Sequence, residues 1–486
     1  MSFLRRFLPL FTLAIAITAL YLYKLDGVGV LGPDEPRYAA IGLAMAHTGQ
    51  LITPKLWGSP WFEKPPLLYW MAAAGNLTGL NPELSARLPV ALLSLAFLAT
   101  AFFLLRAEFG GEAAAVSIAL LATCAGWMTE SQLCVTDLPL AVCFSLAVFL
   151  ALPLLRANRA PPHVPLKFLA IGASIGLATL AKGLVPIALS VPFLWFLRRY
   201  WRDWWLAVLA FGCVALPWYL AVYRQNGYPF IEEFFLKHHF ARLYSPSLQH
   251  VQPPYYYLPV LLAGLFPWTP LLGLLTLRPA KWDQRRSFLA VICGFGFLFF
   301  SAPVNKLPGY LLPLFPSLFV LIGAQFETRG IVALSRAWLF SCALLIATLP
   351  LLAQELPPSL SAGRISVVAL KHITRVEWFY VALPVVVVFL ARRYWAGLLL
   401  VLCIVSGGIY LKARAYPVLD KQVSARQLWK QVKPVSDEVC EDWANRDFVY
   451  GLSFYRGSLI PSCGDRKFKY RLLSHGHGPP ALELTK

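Results

Sequence analysis

The chain has 486 residues, of which 58% are hydrophobic and only 14% charged, and its mean hydropathy is +0.61. A soluble domain carries about 25% charged and about 45–50% apolar residues, so a single soluble core is excluded, and so is bulk disorder, which requires low hydrophobicity. What remains is an α-helical polytopic membrane protein, whose net charge of +19 suits anionic lipid head groups better than nucleic acid.

A membrane span needs about 20 apolar residues as helix. The first such run, residues 7–23 after Arg5 and Arg6, is expected to be an anchor. A cleaved signal peptide is the alternative, opposed by the length of the run and by the lack of a small-x-small site after it. Further spans are predicted around 85–105, 112–129, 137–155, 166–181, 184–197, 204–223, 255–277, 287–303, 307–325, 337–353, 376–391 and 394–411, giving about thirteen. The shortest, 184–197, is read as one arm of a hairpin turning at Ala181-Lys182-Gly183.

Thirteen spans place the termini on opposite sides. With the N-terminus inside, the inner loops hold 17 Lys and Arg against 13 in the outer loops. Eight of those 13 lie in two long outer segments, 24–87 and 224–254, which weigh less in the positive-inside rule. The N-terminus is therefore expected in the cytoplasm and the tail outside. Residues 1–411 are expected to form the membrane domain, with interfacial outer-loop helices within 24–82 and 224–254. Residues 412–486, rich in charge, are expected to form a small extracytoplasmic α/β domain, with a helix over 424–433 and a strand over 447–455. Seven of nine cysteines sit in or beside apolar runs, where Cys behaves as a small hydrophobe. Cys440 and Cys463, in the tail, are predicted to form a disulfide if the tail is outside. No Cys/His spacing reads as a metal site.

The spans carry almost no charge, whereas a transporter is expected to bury ionisable groups at mid-membrane. The informative charges collect in the outer loops, which favours chemistry at the outer face. In Gly32-Pro33-Asp34-Glu35-Pro36-Arg37-Tyr38, Asp34 can be a plain helix cap and Pro36 suits a first helical turn. The helix that follows is too short to span and is expected to end near Gly49. Glu63-Lys64, fixed by two prolines among aromatics, can be a snorkelling anchor or a fixed cation facing a lipid phosphate. Glu130 to Asp137 puts an acid where a span begins, again a possible cap. In the run from Glu232 to Arg242, His239 and Arg242 share a helical face. Lys306 and Tyr310 open another span, with Lys306 as an alternative snorkelling cap.

These residues also carry a family resemblance. Gly-Pro-Asp34-Glu35-Pro-Arg37-Tyr38-Ala39, Phe62-Glu63-Lys64-Pro65-Pro66-Leu-Leu-Tyr-Trp70, Ser85-Ala-Arg87-Leu-Pro89, Thr136-Asp137-Leu-Pro-Leu140 and Lys306-Leu-Pro-Gly-Tyr310-Leu-Leu-Pro-Leu-Phe-Pro316 resemble the GT-C polyprenyl-phosphate-sugar glycosyltransferases. The likeness is to the bacterial lipid A aminoarabinose transferases and the protein O-mannosyltransferase group, over roughly residues 1–325. It implies an inverting enzyme of the bacterial cytoplasmic membrane that breaks the bond from sugar C1 to the phosphate of an undecaprenyl or dolichyl carrier. The acceptor would be an envelope glycolipid such as lipid A, or a protein or glycan hydroxyl. By the resemblance Asp34, Glu35, Arg37 and Asp137 form the catalytic group: Asp34 faces sugar or acceptor, Arg37 fixes it, Glu35 lies nearby and Asp137 supports the cavity. Lys64 and Arg242 would hold the carrier phosphate, with Lys306 and Tyr310 close by. Glu63 and His239 are supporting residues and candidates for a divalent ion, although the mechanism requires no cofactor. The outer loops and tail together are net +7, which suits an anionic acceptor. A lipid-linked-sugar flippase and a non-catalytic assembly subunit are the competing classes. The first needs polar residues across the membrane depth, and the second gives no reason for Asp34, Lys64 and Arg242 to recur on one face.

Overall fold

The computed structural model describes residues 2–156, 161–241, 251–276, 282–327, 334–362, 373–465, 467–474, 476 and 478–485. Helix dominates throughout, as the composition requires. Among the described residues six helices are long and apolar enough to cross a membrane: Pro82–Thr123, Asp137–Leu155, Val164–Lys182, Arg198–Asn226, Pro308–Phe326 and Trp395–Gln422. Two helix pairs meet the same measure but are bent, Pro254–Gly264 with Thr269–Leu275 by 107° and Arg336–Ile346 with Leu349–Ser361 by 43°. Pro9–Leu22, Val185–Phe196 and Trp378–Leu390 are shorter apolar helices.

The breaks have local causes. The runs expected at 85–105 and 112–129 belong to one stretch, Pro82–Thr123, interrupted at Gly110, whose φ of 83° a side chain would resist. Asn81 starts this helix, its Oδ1 accepting the Leu84 N–H at 2.8 Å with Pro82 in the first turn. The 184–197 arm is split at Ser190 into Val185–Leu189 and Val191–Phe196, each opening with a proline in its first turn. Helix Val164–Lys182 packs closely on Trp204–Asn226 because Gly172 and Gly176 face Ala207 and Val214; a Cβ at Gly176 would meet Val214 Cβ at 3.0 Å. The continuous core of the membrane part is aromatic, with Trp127 between Phe97 and the Ser94 hydroxyl that accepts its indole N–H at 2.9 Å.

The tail has its own apolar core of Ala425, Leu428, Val432, Val439, Phe448, Val449, Leu452, Ile460 and Leu472. Strand Val439–Glu441 pairs in parallel with Tyr470–Leu473, which pairs antiparallel with Ala481–Leu484. The expected helix over 424–433 is present as Ala425–Val432, capped by Ser424, whose Oγ accepts the Arg426 N–H at 3.0 Å. The expected strand over 447–455 is a helix instead, Arg446–Arg456. Its aromatic residues suggest strand propensity, yet Phe448, Val449 and Leu452 recur at helical spacing on its buried face. Asn445 caps its start and Gly457 ends it at φ 78°. This helix is the crossover that two parallel strands require. The preceding helix Arg393–Gln422 continues past the expected boundary at residue 412 and delivers the tail onto the first loop. Cys440 and Cys463 are joined by a disulfide, holding Val439–Glu441 to the segment after the tail helix.

Candidate functional site

The densest set of charges is built on the first loop. Gly32, at φ 62°, turns the chain into helix Asp34–Thr48. Asp34 does not cap this helix: the N-cap is Pro33 and no side chain caps it. The Asp34 carboxylate instead pairs with Arg37 one turn on, and remains 40% exposed. Arg37 is held on every side. Its Nε donates to the Pro33 carbonyl at 2.9 Å and its Nη1 to Glu63 Oε2 at 3.2 Å. Burial opposes its charge, but Glu63, Tyr38 and Asp34 outweigh that and keep it firmly protonated. Glu63 in turn accepts from Lys64 Nζ at 3.0 Å through Oε1. Asp34, Arg37, Glu63 and Lys64 thus form one alternating chain of charge, in which only Asp34 is substantially open. Both Glu63 oxygens accept from cations, which is the chemistry of a bridging carboxylate. The Lys64 side chain is 10% exposed.

Glu35, expected beside the catalytic acid, faces the other way and is structural. Arg87 donates to it twice, from Nε and Nη2, each at 2.7 Å. The N–H of Leu31 adds a bond at 2.7 Å and that of Cys134 another at 3.0 Å. With these acceptor positions filled and 1% exposure, Glu35 has no face left for a substrate. Its work is positional: the Cys134 bond ties the loop before Asp137 to the first loop, and Arg87 also holds the carbonyls of Leu25, Val28 and Gly29.

Through that loop the site reaches Asp137. Thr136 is the N-cap of helix Asp137–Ala151, so Asp137, like Asp34, is not spent on capping. It pairs with Lys182, the last residue of Val164–Lys182, whose ammonium stands 4.2 Å from the centre of the Tyr310 ring. Gly309 completes the cluster, since a Cβ there would stand 2.9 Å from Asp137 Cγ and 3.2 Å from Glu130 Oε1. Glu130 is only partly enclosed as a residue, but its Oε2 is buried without a hydrogen-bond partner. Burial, with Asp137 adding and Lys182 opposing, pushes its carboxyl up to about 8. Lys182 was not expected in the site, because a lysine before a glycine at a helix end reads as a C-cap. The available signal was charge balance: Asp137 needs a cation, and Lys182 stands at the turn of the adjoining hairpin.

Lys306, expected beside the phosphate, is 4% exposed and donates to the carbonyls of Pro303 at 2.6 Å and Gln252 at 3.2 Å. Those bonds make it a clamp on the loop behind Tyr310. The backbone over Glu232–Ala241 is a π-helix. The side chain of His239 and the whole of Arg242 lie outside the described residues, so the expected partner of Lys64 and the candidate ion pair Glu63–His239 have no geometry here. Among the described residues no three His, Cys, Asp or Glu side chains cluster as a metal site would require.

The tail packs against this site. Tyr450 on the tail helix stands 5.3 Å from the Arg37 guanidinium, and Trp61 stands 5.2 Å from it. Arg426 Nη1 donates to the Asp26 carbonyl at 2.9 Å, Tyr455 donates to Glu83 at 2.8 Å, and the Gly29 N–H donates to Asp420 at 2.8 Å.

The family model for dolichyl-phosphate-mannose-protein mannosyltransferase matches residues 6–231. The undecaprenyl phosphate-alpha-4-amino-4-deoxy-L-arabinose arabinosyl transferase of Pseudomonas aeruginosa (strain UCBPP-PA14) is 31% identical over 330 residues, covering 65% of this chain and 59% of that protein. A Proteus mirabilis enzyme of the same name, numbered 2, is 29% identical over 322 residues, covering 64% and 58%. The chain thus spans about three fifths of the length of these relatives. The crystal structure of ArnT from Cupriavidus metallidurans bound to undecaprenyl phosphate superposes with a TM-score of 0.77 over 97% of both chains, at 21% identity. The Archaeoglobus fulgidus oligosaccharyltransferase AglB, in complex with an inhibitory peptide and a dolichol-phosphate, gives 0.55 at 12% identity, over 94% of this chain and 65% of that one. This polytopic membrane protein therefore has the GT-C fold and resembles, in fold and in sequence, the polyprenyl-phosphate-sugar transferases of the aminoarabinose transferase kind.

Proposed function

We propose that the chain moves a sugar from a polyprenyl phosphate, an undecaprenyl carrier in a bacterial membrane, to an anionic envelope glycolipid of the lipid A type. The observation that carries this reading is the charge chain Asp34–Arg37–Glu63–Lys64, open at Asp34, with its lysine fixed beside two prolines. A chain of fixed charges of this kind is what transfer from a lipid phosphate requires. As the bond from sugar C1 to the phosphate oxygen breaks, the carrier phosphate gains charge, and cations already in place stabilise it without reorganisation. Lys64 holds that phosphate together with Arg242, while the Asp137–Lys182 pair and Tyr310 wall the carrier side. Asp34, aimed by Arg37, faces the reacting sugar. An acceptor oxygen attacks C1 from the opposite side and inverts the anomeric centre. A phosphate acceptor is already anionic, so Asp34 then orients and needs to remove no proton. A hydroxyl acceptor would make Asp34 a general base, worth about 10²–10⁴-fold. Neither route needs a metal, and Glu63 serves as the bridge between Arg37 and Lys64.

The reading places the reaction on the outer face of the cytoplasmic membrane, with the N-terminus inside and the tail as a small domain outside. The relatives named for aminoarabinose transfer support a pentose donor. The test is to give purified full-length protein a labelled undecaprenyl-phosphate aminoarabinose with lipid A, dephosphorylated lipid A or hydroxyl-bearing peptides. Label on phosphorylated lipid A alone is the expected result. Label on peptides alone, with both lipid A forms inert, would overturn the acceptor assignment, and no transfer to any acceptor would overturn the enzyme.

A further inference from the structure

The hairpin Lys55–Leu56/Ser59–Pro60 turns through Trp57 and Gly58, both with positive φ, 48° and 93°. Two-residue loops of this kind favour Asn-Gly, because a bulky side chain resists the left-handed region. A tryptophan at the first position is strained, and strain of this sort persists where its surroundings over-determine it and often marks a binding site. Here the Trp57 ring lies against Tyr450 of the tail helix, centroids 5.6 Å apart and 36° between planes. The same Tyr450 ring faces Arg37 at 5.3 Å and Arg446 at 5.5 Å. Two indole N–H groups, Trp57 Nε1 and, on the other ring against Arg37, Trp61 Nε1, are buried with no hydrogen-bond partner, and a buried donor in that state calls for an explanation.

We propose that Trp57 and Tyr450 form an aromatic platform for the sugar head of the acceptor glycolipid, with Arg446 binding its phosphate. This rests on the transferase reading above. Order along the site selects acceptor over donor: Lys64, Glu63, Arg37 and Tyr450 follow one another, so the platform lies at the end away from the proposed carrier-phosphate lysine. The chemistry fits a phosphorylated sugar. The C–H face of a pyranose ring packs on aromatic faces, and an exposed guanidinium takes phosphate. Asp447, the acid nearest Arg446 in sequence, is held above the ordinary carboxylate range by burial, with Arg446 opposing and Asp34 adding. The platform is also rigid, because the Arg426 and Tyr455 bonds fix the tail helix to the first loop. Preorganisation of this kind lowers the ordering that binding would otherwise require.

Trp57→Asn separates binding from folding, since asparagine is the residue such a turn prefers. Tyr450→Ala removes the second ring, and Tyr450→Phe keeps its face. Affinity for lipid A is measured on purified full-length protein in nanodiscs, without donor. Trp57→Asn and Tyr450→Ala are expected to bind lipid A about threefold to tenfold more weakly than wild type, with undecaprenyl phosphate affinity unchanged and Tyr450→Phe near normal. Arg446→Ala should lose affinity for phosphorylated lipid A but not for the dephosphorylated form. Equal binding by wild type and Trp57→Asn, or no binding of lipid A by wild type, would overturn the platform. Turnover by the same wild-type preparation reads the transferase assignment separately: platform binding without transfer would overturn that assignment alone.

Discussion

Arg87→Ala is the sharpest test of how the site is held. Arg87 makes two bonds to Glu35 and three to the carbonyls of Leu25, Val28 and Gly29, and its side chain is 3% exposed. Truncation leaves Glu35 buried with only the Leu31 and Cys134 N–H groups, and three carbonyls without their donor. Breaking one partner of a buried pair costs about 3–5 kcal/mol, mainly because the other charge stays behind. In a domain of 150–250 residues each kcal/mol lowers Tm by about 2–4 °C; a larger chain shifts less per kcal/mol, so a fall of several degrees is expected here. The assay is thermal unfolding in one detergent of wild type, Arg87→Ala, Glu35→Ala and the double variant. Because each single change already removes the shared pair, the double variant should lose much less than the two singles together. A loss below about 1 kcal/mol in Arg87→Ala, or strictly additive losses, would show that this pair does not anchor the first loop to the loop before Asp137.

Three further outcomes are expected. Lys64→Ala should weaken undecaprenyl phosphate binding roughly tenfold or more, since a charge-assisted hydrogen bond contributes about 1.5–3 kcal/mol; unchanged affinity in a direct titration would remove Lys64 from the phosphate site. Gly309→Ala should lower turnover while the protein still folds, because its Cβ would displace Asp137 and Glu130 around Lys182; normal turnover would show that the pair tolerates movement. Glu130 has a raised folded-state value of about 8, so its neutral carboxyl contributes stability that is complete below about pH 4.3 and is lost as pH rises toward 8. Glu130→Gln removes that dependence, so the variant should gain stability relative to wild type between pH 5 and 8. Parallel unfolding curves across that range would contradict it.

Much of this was legible in the sequence, and the exceptions share a cause. Apolar runs of span length locate most of the membrane helices, because burial in lipid imposes length and hydrophobicity together. They do not show breaks, which depend on single residues: Gly110 interrupts a stretch whose hydropathy continues through it. Residues 447–455 read as a strand although Arg446–Arg456 is a helix, because aromatic propensity competes with tertiary context and the parallel strand pair that needs a crossover lies outside the local window. In the site, Asp34, Arg37, Glu63 and Lys64 stand out through charge and proline spacing on one loop, and the structure brings them together. Pairings across loops were hidden. Glu35 looks like a second catalytic acid until Arg87, 52 residues away, is placed against it, and Lys182 looks like a helix end until Asp137 meets it. Tyr450 gave no signal, because nothing local to the tail says that it reaches Arg37.

The central claim is that the open carboxylate of Asp34 acts on a sugar held by a polyprenyl phosphate. Transfer of labelled aminoarabinose from undecaprenyl phosphate to lipid A, measured for purified wild type and Asp34→Asn beside their affinities for undecaprenyl phosphate, tests it most directly. Transfer by wild type, a loss of at least about 10²-fold in Asp34→Asn and the same carrier affinity in both are expected. Near-normal turnover by a folded Asp34→Asn protein would contradict it.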